Sequence, residues 1–427
     1  MRVAILTLTY HPDHTGSAVY ATDLARFLGE RGHDVTVITS FPHYPNWKKQ
    51  PRDKGTLFRT EQQGRVRILR GYIYVPASVT PWTRILYELS FLASLTANAL
   101  RAGAQALVVA VSPPILVGAV GRLLALRSRC GFVCYVQDLQ LDAALSLRML
   151  RPGLMTRLLS RIEGSLYRGA SLVVTISEGM RRRIQGKGAG RNNLVVIPNW
   201  IDAARASREV PSGMFRCRFP QLGDRPLVGY AGNMGVKQSL HTLVEAAKVL
   251  QDRQSDVQVL LVGDGAVRRN LEALVAASSL RNVHILPTQS PSEYQELLSD
   301  IEICVILQAH AAGEVFFPSK LLGILARGRP VIIAADSESE LADAGRASGC
   351  AEIVPPEDPV ALADAILQLH ESPRRRSEMG SEAAPYLKQF DRSRLLKALE
   401  HALLETASRR GTSRLVDTID SRGADQA

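Results

Sequence analysis

The sequence predicts an α/β protein made of two doubly wound, Rossmann-like domains that face each other across a cleft. The chain has 427 residues, which is too many for one compact core. Its composition, 46% hydrophobic and 22% charged, is typical of globular proteins. Strand and helix signals alternate along nearly the whole chain, and the pattern starts again after a polar stretch at 202–224. Such alternation favours parallel sheets that helices cover on both faces.

The first domain is predicted to span residues 1–205. It begins with the apolar strand "RVAILTLTY", followed by a helix in "SAVYATDLARFLGERG" and a strand in "HDVTVIT". Further on, "ALVVAVS", "ILVGAVGRLLALRSR" and "GFVCYVQD" repeat the order strand, helix, strand, and "SLVVTISE" and "NLVVIPNW" add two strands. Because these strands are almost continuously apolar, we expect a parallel sheet that is buried on both faces.

The second domain is predicted to span residues 206–385. Strands are expected in "RPLVGYAGN", "VQVLLVGDG", "NVHILPT" and "IEICVILQ", with helices in "SLHTLVEAAKVLQ", "AVRRNLEALVAAS" and "SEYQELLSD". Residues 386–407 are predicted to form a C-terminal helix that returns to the first domain, and the polar residues 408–427 a flexible tail. Ligands of such sheets bind beyond the carboxyl ends of the strands, so we expect one ligand site in the cleft.

Charge is distributed unevenly between the two halves of the chain. Residues 1–200 hold 26 Lys and Arg against 11 Asp and Glu, a net charge of +15, whereas the remainder holds 26 against 30. A basic half indicates a polyanionic partner, either nucleic acid or an anionic membrane surface. No nucleic-acid motif is recognisable, which argues against the first. Residues 81–101 form an apolar, aromatic-bearing helix candidate for the membrane, with an ordinary buried helix as the alternative.

Location within the cell is inferred from the cysteines and the apolar runs. The five cysteines are an odd number, and the C-x3-C spacing of Cys130 and Cys134 fits neither a redox motif nor a zinc site. They are therefore predicted to be reduced thiols of a cytoplasmic protein. The longest apolar stretch, 104–121, is interrupted by Pro113 and Pro114, so no transmembrane segment is expected.

Glycine-rich connections at strand ends suggest phosphate binding. In "GYAGNMGVKQSL" a strand ends, Gly232 and Gly235 open a turn, and Lys237 precedes a helix. Glycine lets backbone N–H groups approach an anion, and a helix N-terminus and an ammonium add positive potential. The segment is thus either a diphosphate cradle or a tight glycine turn with a solvated lysine. "VGDG", which holds Gly263 and Gly265, is a further turn of this kind.

The segment "EVFFPSKLLGILARGRPVII" carries the same pattern. Pro318 suits the start of a helix, Ser319 can cap it, and Lys320 lies in the first turn. A lysine is unfavourable there because the helix dipole prefers acidic groups at that end, and this points to a bound anion. The alternative is a capped core helix. In the first domain, Thr15 and Gly16 lie between the first strand and the first helix.

Taken together, these motifs resemble those of GT-B glycosyltransferases of family 4, the group 1 sugar transferases. The segments that carry the resemblance are "YHPDHTGSAVY", "LGERGHDVTVIT", "YVQDLQLDAA", "VVTISEGM", "VIPNWID", "YAGNMGVKQSL", "LVGDG" and "PSKLLGILARGRPVI". The chain looks most similar to bacterial exopolysaccharide and O-antigen transferases of the colanic-acid and fucosamine type.

The resemblance implies roles for individual residues. Lys237 and Lys320 would act on the diphosphate, and Glu314 would reach the donor sugar. Where relatives carry a ribose-binding glutamate, this chain has Gly323. Asp138 would belong to the acceptor-side polar groups, with a strand-end helix cap as the alternative. The other donor-binding residues implied are Gly16, Gly232, Asn233, Gly263, Gly265, Gln289, Ser290, Pro318 and Ser319, and the acceptor side would include His14 and Thr15.

The function implied is a retaining, metal-independent glycosyltransferase with no cofactor. It would move a hexosyl or N-acetylhexosaminyl group from a nucleotide-diphosphate sugar, UDP rather than GDP, to a polyprenyl-diphosphate-linked or other saccharide acceptor. The protein would lie in the cytoplasm, peripherally at the anionic inner face of the cytoplasmic membrane, and would bind no nucleic acid. The alternatives are a nucleotide-sugar 2-epimerase and a non-catalytic nucleotide-sugar-binding partner of a polysaccharide assembly complex.

Overall fold

The structure, a computed structural model, describes residues 1–13, 16–44, 47–77, 80–146, 150–206, 210–310 and 320–423. The chain divides into two compact units. The first comprises Met1–Leu145, Leu150–Asn199 and Ser393–Ala427, and the second comprises Ser146–Met149 and Trp200–Arg392. The chain therefore leaves the first unit near residue 200, beside the predicted domain boundary, and comes back to it near residue 393.

An eight-stranded sheet forms the centre of the first unit in the described part of the chain. Its strand order is β3-β4-β2-β1-β5-β6-β7-β8. The strands are β1 (Arg2–Leu6), β2 (Asp34–Ser40), β3 (Phe58–Gln63), β4 (Val66–Gly71), β5 (Leu107–Ser112), β6 (Gly131–Val136), β7 (Leu172–Thr175) and β8 (Leu194–Val196). The helices are α1 (Ser17–Glu30), α2 (Pro81–Arg101), α3 (Leu116–Ser128), α4 (Gln140–Ser146), α5 (Leu154–Gly169) and α6 (Glu178–Gly186).

Apolar β-branched residues explain why the central strands of the first sheet form. In β1 and β5 nearly every side chain is buried, as the continuous apolar runs predict for strands covered on both faces. Two strands were not predicted, β3 and β4, which pair antiparallel with each other, with β3 at the edge of the sheet. The sequence of β3, "FRTEQQ", is polar, and its residues are exposed or half-buried, so it gives no apolar signal.

A six-stranded parallel sheet forms the centre of the second unit in the residues described there. Its order is β11-β10-β9-β12-β13-β14. The strands are β9 (Leu227–Ala231), β10 (Gln258–Val262), β11 (Val283–Leu286), β12 (Ile303–Leu307), β13 (Val331–Ala334) and β14 (Ala351–Val354). The helices are α7 (Ala203–Ala206), α8 (Met214–Arg218), α9 (His241–Asp252), α10 (Arg268–Ala277), α11 (Pro291–Asp300), α12 (Lys320–Ala326), α13 (Glu340–Ser348), α14 (Pro359–His370) and α15 (Pro373–Leu387).

Two hydrophobic clusters, one on each face, enclose the second sheet. One contains buried residues of α11 and α12, such as Leu297 and Leu321. The other contains buried residues of α9 and α14, such as Leu243 and Leu362. The sheet is thus covered on both sides, and its carboxyl edge, where β9 and β10 end, is the place where connections can meet a ligand.

The last helix, α16 (Arg392–Gly423), belongs almost wholly to the first unit. Its Glu400 carboxylate accepts hydrogen bonds from Arg31 and lies 3.1 Å from His33 Nε2. The helix runs on through the residues predicted as a flexible tail from 408. Extending an existing helix avoids the nucleation step, so a sequence without a strong periodic pattern can continue it when no proline intervenes.

No helix in the described residues is long and apolar enough to cross a membrane.

Candidate functional site

Two connections at the carboxyl edge of the second sheet pack backbone against backbone. One joins β9 to α9 and the other joins β10 to α10. The Gly232 N–H donates to the Val262 carbonyl, and the Met234 N–H donates to the Asp264 carbonyl, both at 2.8 Å. A Cβ atom on Gly263 would overlap the carbonyl oxygen of Gly232, and Gly263 has a φ of 149°. Glycine is therefore required where the two connections touch.

Gly265, two residues further along the chain, makes the same kind of contact. Its φ is 155°, and a Cβ atom there would overlap the backbone of Met234. Gly263 and Gly265 were predicted to bind the donor. The backbone of the β9–α9 connection takes up the space that side chains on these two residues would need. In the structure, these glycines therefore hold the β9–α9 connection in place.

Lys320, the first residue of α12, reaches across the end of β9. Its Nζ donates to the hydroxyl of Tyr230 at 2.6 Å and lies 4.2 Å from the centroid of the Tyr230 ring. A Cβ atom on Gly232 would collide with the Lys320 side chain. The Tyr230 hydroxyl in turn donates to the Asn233 carbonyl at 2.5 Å. The structure thus joins Lys320 and Gly232, two predicted phosphate-binding residues that are far apart in the sequence.

The environment of Lys320 alters its titration. Burial lowers the pKa of the Lys320 ammonium to about 7, because the ammonium loses its hydration and Tyr230 offers no negative charge to compensate it. An anion placed beside the ammonium would raise this pKa again. The arrangement is therefore suited to a phosphate, whose charge would compensate the buried cation.

The remaining predicted residues of the β9–α9 connection lie close by in the chain. Lys237 is half-buried in a single 3₁₀ turn, Val236–Gln238. Its carbonyl accepts the Ala309 N–H at 2.8 Å, which ties this connection to the end of β12. Asn233 is exposed. Both residues therefore lie at the same carboxyl edge as Gly232.

Gln289 and Ser290 follow β11 at this edge. The Gln289 amide donates to the Pro287 carbonyl at 2.8 Å. Ser290 is the N-cap of α11: its hydroxyl accepts the Glu293 N–H at 3.3 Å, and its own N–H donates to the Glu293 carboxylate at 2.8 Å. This capping box explains why α11 begins here. It also engages the hydroxyl and the N–H of Ser290, and the Ser290 carbonyl accepts the Tyr294 N–H at 2.9 Å.

Five predicted site residues lie outside the described residues, namely His14, Thr15, Glu314, Pro318 and Ser319.

At the carboxyl edge of the first sheet, a buried polar cluster holds the connection after β1 to the connection after β2. Asp13 Oδ1 accepts the backbone N–H groups of His43 and Tyr44, both at 3.2 Å. Burial raises the pKa of the Asp13 carboxyl to about 7. The ring of His43 donates from Nδ1 to the Phe41 carbonyl and accepts at Nε2 from the Tyr87 hydroxyl, both at 2.8 Å. Burial lowers the pKa of His43 to about 4, so this ring is neutral.

Arg70 holds the same connection from the other side. Its side chain is 1% exposed, and it donates to the His11 carbonyl at 2.6 Å, to the Ser40 carbonyl at 3.3 Å and to the Glu61 carboxylate at 2.9 Å. The carboxylate compensates the buried guanidinium charge. Arg70 thereby links β4 to the segment that leads to Gly16.

Gly16 and Asp138 also lie at the carboxyl edge of the first sheet. Gly16 precedes α1 with a φ of 59°, and a Cβ atom added to it would have no described atom within 4 Å. Asp138 is half-buried between β6 and α4. Neither observation assigns a ligand to these residues, and their predicted roles remain predictions.

Sequence reasoning did not find Tyr230, Asp13 or His43. Tyr230 reads as one apolar residue in a buried strand, and only its position two residues before Gly232 marks it. Asp13 stands beside the predicted His14 and Thr15, but its partners come from a different connection. Their roles depend on contacts between distant segments, which a single sequence does not reveal.

Comparison with known proteins agrees with this architecture. The glycosyl transferase 4-like domain family matches residues 15–200, and the glycosyl transferases group 1 family matches residues 225–372. The protein named "Putative colanic acid biosynthesis glycosyl transferase WcaI" of Escherichia coli (strain K12) is 29% identical over 376 residues, 86% of this chain and 92% of that protein. D-rhamnosyltransferase WbpZ of Pseudomonas aeruginosa is 29% identical over 171 residues, 40% of this chain and 42% of that protein.

Solved structures share the fold. The crystal structure of WaaG, a glycosyltransferase involved in lipopolysaccharide biosynthesis, has a TM-score of 0.66 at 17% identity and covers 94% of this chain and 99% of its own. Anabaena HepE in complex with UDP-glucose has a TM-score of 0.69 at 17% identity and covers 95% and 100%. Two Rossmann-like units with these neighbours define the GT-B fold class. The two family matches together span most of the sequence, and the chain belongs to the group 1 glycosyltransferases.

Proposed function

We propose that the protein is a retaining glycosyltransferase that moves a sugar from a nucleotide-diphosphate sugar to a lipid-linked saccharide in the synthesis of a bacterial surface polysaccharide. The observation that carries the proposal is the contact of Lys320 with Tyr230, in which the half-buried lysine side chain lies against Gly232. The colanic acid relative and the UDP-glucose complex of HepE support the donor class and the pathway class.

The chemistry follows from where charge develops. When the bond from the anomeric carbon to the phosphate oxygen breaks, negative charge grows on the leaving diphosphate. A preorganised ammonium such as that of Lys320, together with Lys237 on the β9–α9 connection, would stabilise this charge. No protein group needs to give a proton to the leaving diphosphate, because its charge is compensated in place.

The acceptor is proposed to be a polyprenyl-diphosphate-linked saccharide at an anionic membrane. Two helices of the first unit support this. On α2, Trp82 is 77% exposed, and Ile85, Leu86 and Leu89 are exposed on the same face. On α5, an apolar face is exposed as well, with Leu154 at 82%. Exposed apolar helix faces on a unit rich in arginine are typical of proteins that lie at the bilayer interface.

A donor screen followed by a transfer assay tests the proposed function. UDP-sugars and GDP-sugars are added to the protein, and the rise in unfolding temperature is measured, since a ligand stabilises the folded state that binds it. The stabilising donor is then incubated with a lipid-diphosphate-linked saccharide. We expect release of nucleoside diphosphate and an extended lipid-linked product with the anomeric configuration of the donor. Product of inverted configuration would contradict the retaining mechanism, and an absence of any stabilising donor would contradict the donor class.

Membrane binding is tested by flotation with vesicles that contain anionic lipid. Replacing Trp82 and Leu154 by serine is expected to reduce the bound fraction, and raising the salt concentration is expected to reduce it further. Val360→Ser, at a 49% exposed apolar residue of the second unit, is the matched control and should bind as the wild type does. Wild-type protein that does not float at low salt would contradict the membrane proposal.

A further inference from the structure

Lys49, in the connection between β2 and β3, places its ammonium over an aromatic ring instead of beside a carboxylate. The Lys49 Nζ lies 3.7 Å from the centroid of the Tyr72 ring, and it forms no ion pair with the described residues. Burial lowers the pKa of Lys49, and the charge of Asp53 acts in the opposite direction. Asp53 itself is paired with Arg59. Lys49 is thus a partly desolvated cation that no direct ion pair compensates.

Arg84, near the start of α2, is a second cation that lies over an aromatic ring. Its guanidinium is 5.1 Å from the centroid of the Tyr87 ring, and its Nε donates to the Glu88 carboxylate at 2.9 Å. Among the residues that the structure describes, its two terminal nitrogen atoms have no hydrogen-bond partner. A cation near a helix N-terminus is unfavourable for the helix dipole, so Arg84 is suited to an anion.

Contacts with His43 bring the two cations to one place at the carboxyl edge of the first sheet. The Lys48 N–H donates to the His43 carbonyl at 3.2 Å, which holds the residue before Lys49 against His43. The Tyr87 hydroxyl, whose ring carries Arg84, donates to the His43 ring at 2.8 Å. Burial is the main cause of the lowered pKa of His43, and the charges of Lys49 and Arg84 lower it further. Both cations therefore lie near the same neutral ring.

The exposed apolar residues of α2 lie next to this pair of cations. In the first half of the helix these residues are Trp82, Ile85, Leu86 and Leu89. Arg84 is three residues before the buried Tyr87, so it lies on the face of α2 that packs on the first unit. The same end of α2 thus presents an apolar surface on one side and a cation on the other, which is the arrangement that a lipid with a charged head group requires.

We propose that Lys49 and Arg84 bind the diphosphate of the lipid-linked acceptor, and that the lipid chain leaves past Trp82. The proposal rests on the proposed function, because it takes the acceptor to be a polyprenyl-diphosphate-linked saccharide. A diphosphate offers oxygen atoms on two phosphate groups, so the ammonium and the guanidinium can each bind one group. The head group of an ordinary anionic phospholipid has a single phosphate and engages the pair less fully. The site therefore selects the diphosphate over the surrounding lipid.

Flotation with two kinds of anionic vesicle tests the site. Phosphatidylcholine vesicles contain either polyprenyl diphosphate or phosphatidylglycerol, in amounts that give the same surface charge. The wild type should bind the diphosphate vesicles about tenfold more tightly, because charge-assisted hydrogen bonds to the diphosphate add to the general attraction. Inorganic diphosphate, added at constant ionic strength, should displace the protein from the diphosphate vesicles.

Two double variants that remove the same charge separate a specific site from general attraction. Lys49→Gln/Arg84→Gln removes both proposed ligands. Lys54→Gln/Arg101→Gln is the matched control: Lys54 is exposed in the same connection, and Arg101, at the other end of α2, lies 5.3 Å from the centroid of the Phe58 ring. Both variants should bind phosphatidylglycerol vesicles less tightly, by a similar factor. Only Lys49→Gln/Arg84→Gln should lose the preference for the diphosphate.

The inference is overturned if the wild type does not distinguish the two vesicles, if Lys49→Gln/Arg84→Gln keeps the preference, or if the control variant loses it as well. Thermal unfolding checks that the variants are folded; should the double variant be unfolded, Arg84→Gln is compared with Arg101→Gln in the same way. These failures leave the proposed function intact if the wild type transfers a sugar to the lipid-linked saccharide. If it binds a donor and transfers nothing to that acceptor, the proposed function fails whatever the vesicles show.

Discussion

The carboxyl edges of the two sheets differ in the partners that their polar side chains have. At the edge of the second sheet, Gly232 and Gly263 bring two backbones into contact and leave Lys320 with a neutral partner, Tyr230. At the edge of the first sheet, Asp13 and His43 are bonded inward, to backbone groups and to a tyrosine. The second edge holds a cation ready for an anion, whereas Asp13 and His43 at the first edge already have their partners.

Titration behaviour separates the two edges in the same way. Burial lowers the pKa of Lys320 to about 7 and raises that of Asp13 to about 7, so each is driven toward its neutral form. Lys320 can recover its charge when a phosphate arrives. Asp13 accepts two backbone N–H groups, and these hydrogen bonds fix the connection after β2. A shifted pKa therefore marks a binding group only when an unfilled partner position accompanies it.

The largest expected effect is a loss of turnover when Lys320 at the second edge is replaced. Lys320→Ala should lower turnover by about two orders of magnitude or more, because loss of one preorganised donor to a developing anion costs roughly that much. Lys248→Ala, at an exposed lysine of the same unit paired with Asp252, is the matched control and should retain turnover. Turnover is measured as nucleoside diphosphate release with the donor found in the screen. If Lys320→Ala turned over as fast as the wild type, the proposed functional difference between the two edges would be contradicted.

Glycine substitutions compare how tightly the two edges are packed. Gly263→Ala should lower the free energy of unfolding by about 3 kcal/mol, since it adds a positive-φ penalty to a backbone overlap with Gly232. Gly16→Ala meets no described atom and should lower it by only about 1 kcal/mol, the positive-φ term alone. Urea unfolding of both variants measures the difference. Equal losses would show that the second edge is no more tightly packed than the first.

A smaller effect is expected on the pH dependence of stability, and it comes from Asp13 at the first edge. Because the pKa of Asp13 is about 7 in the folded protein and 3.8 ordinarily, the folded state holds its proton more tightly, and stability falls as pH rises from about 4 to 7. Asp13→Asn cannot ionise, yet its amide oxygen can still accept the two backbone N–H groups. Relative to wild type its free energy of unfolding should gain about 2.7 kcal/mol between pH 5 and pH 8, measured by urea unfolding. A gain that does not change with pH would contradict the assignment.

Much of this comparison could be predicted from the sequence, and the omissions have physical causes. Apolar strands and glycine-bearing connections predicted both sheets and the fold class, because those signals are local. The strands β3 and β4 were missed; β3 is polar and lacks an apolar run, and β4 is short and interrupted by arginines. Lys320 and Gly232 were each predicted at a phosphate site, but their direct contact was not, because the two residues lie far apart in the chain.

The most direct test is the proton uptake that accompanies nucleotide binding. UDP and GDP are titrated at pH 8 in buffers of different ionisation enthalpy, with wild type and Lys320→Met. Since the pKa of Lys320 is about 7 without a ligand, the group is mostly neutral at pH 8, and a diphosphate beside it should draw in close to one proton. Lys320→Met should take up none. Equal proton uptake by the two proteins, with UDP or GDP bound, would contradict the claim that this ammonium meets the diphosphate.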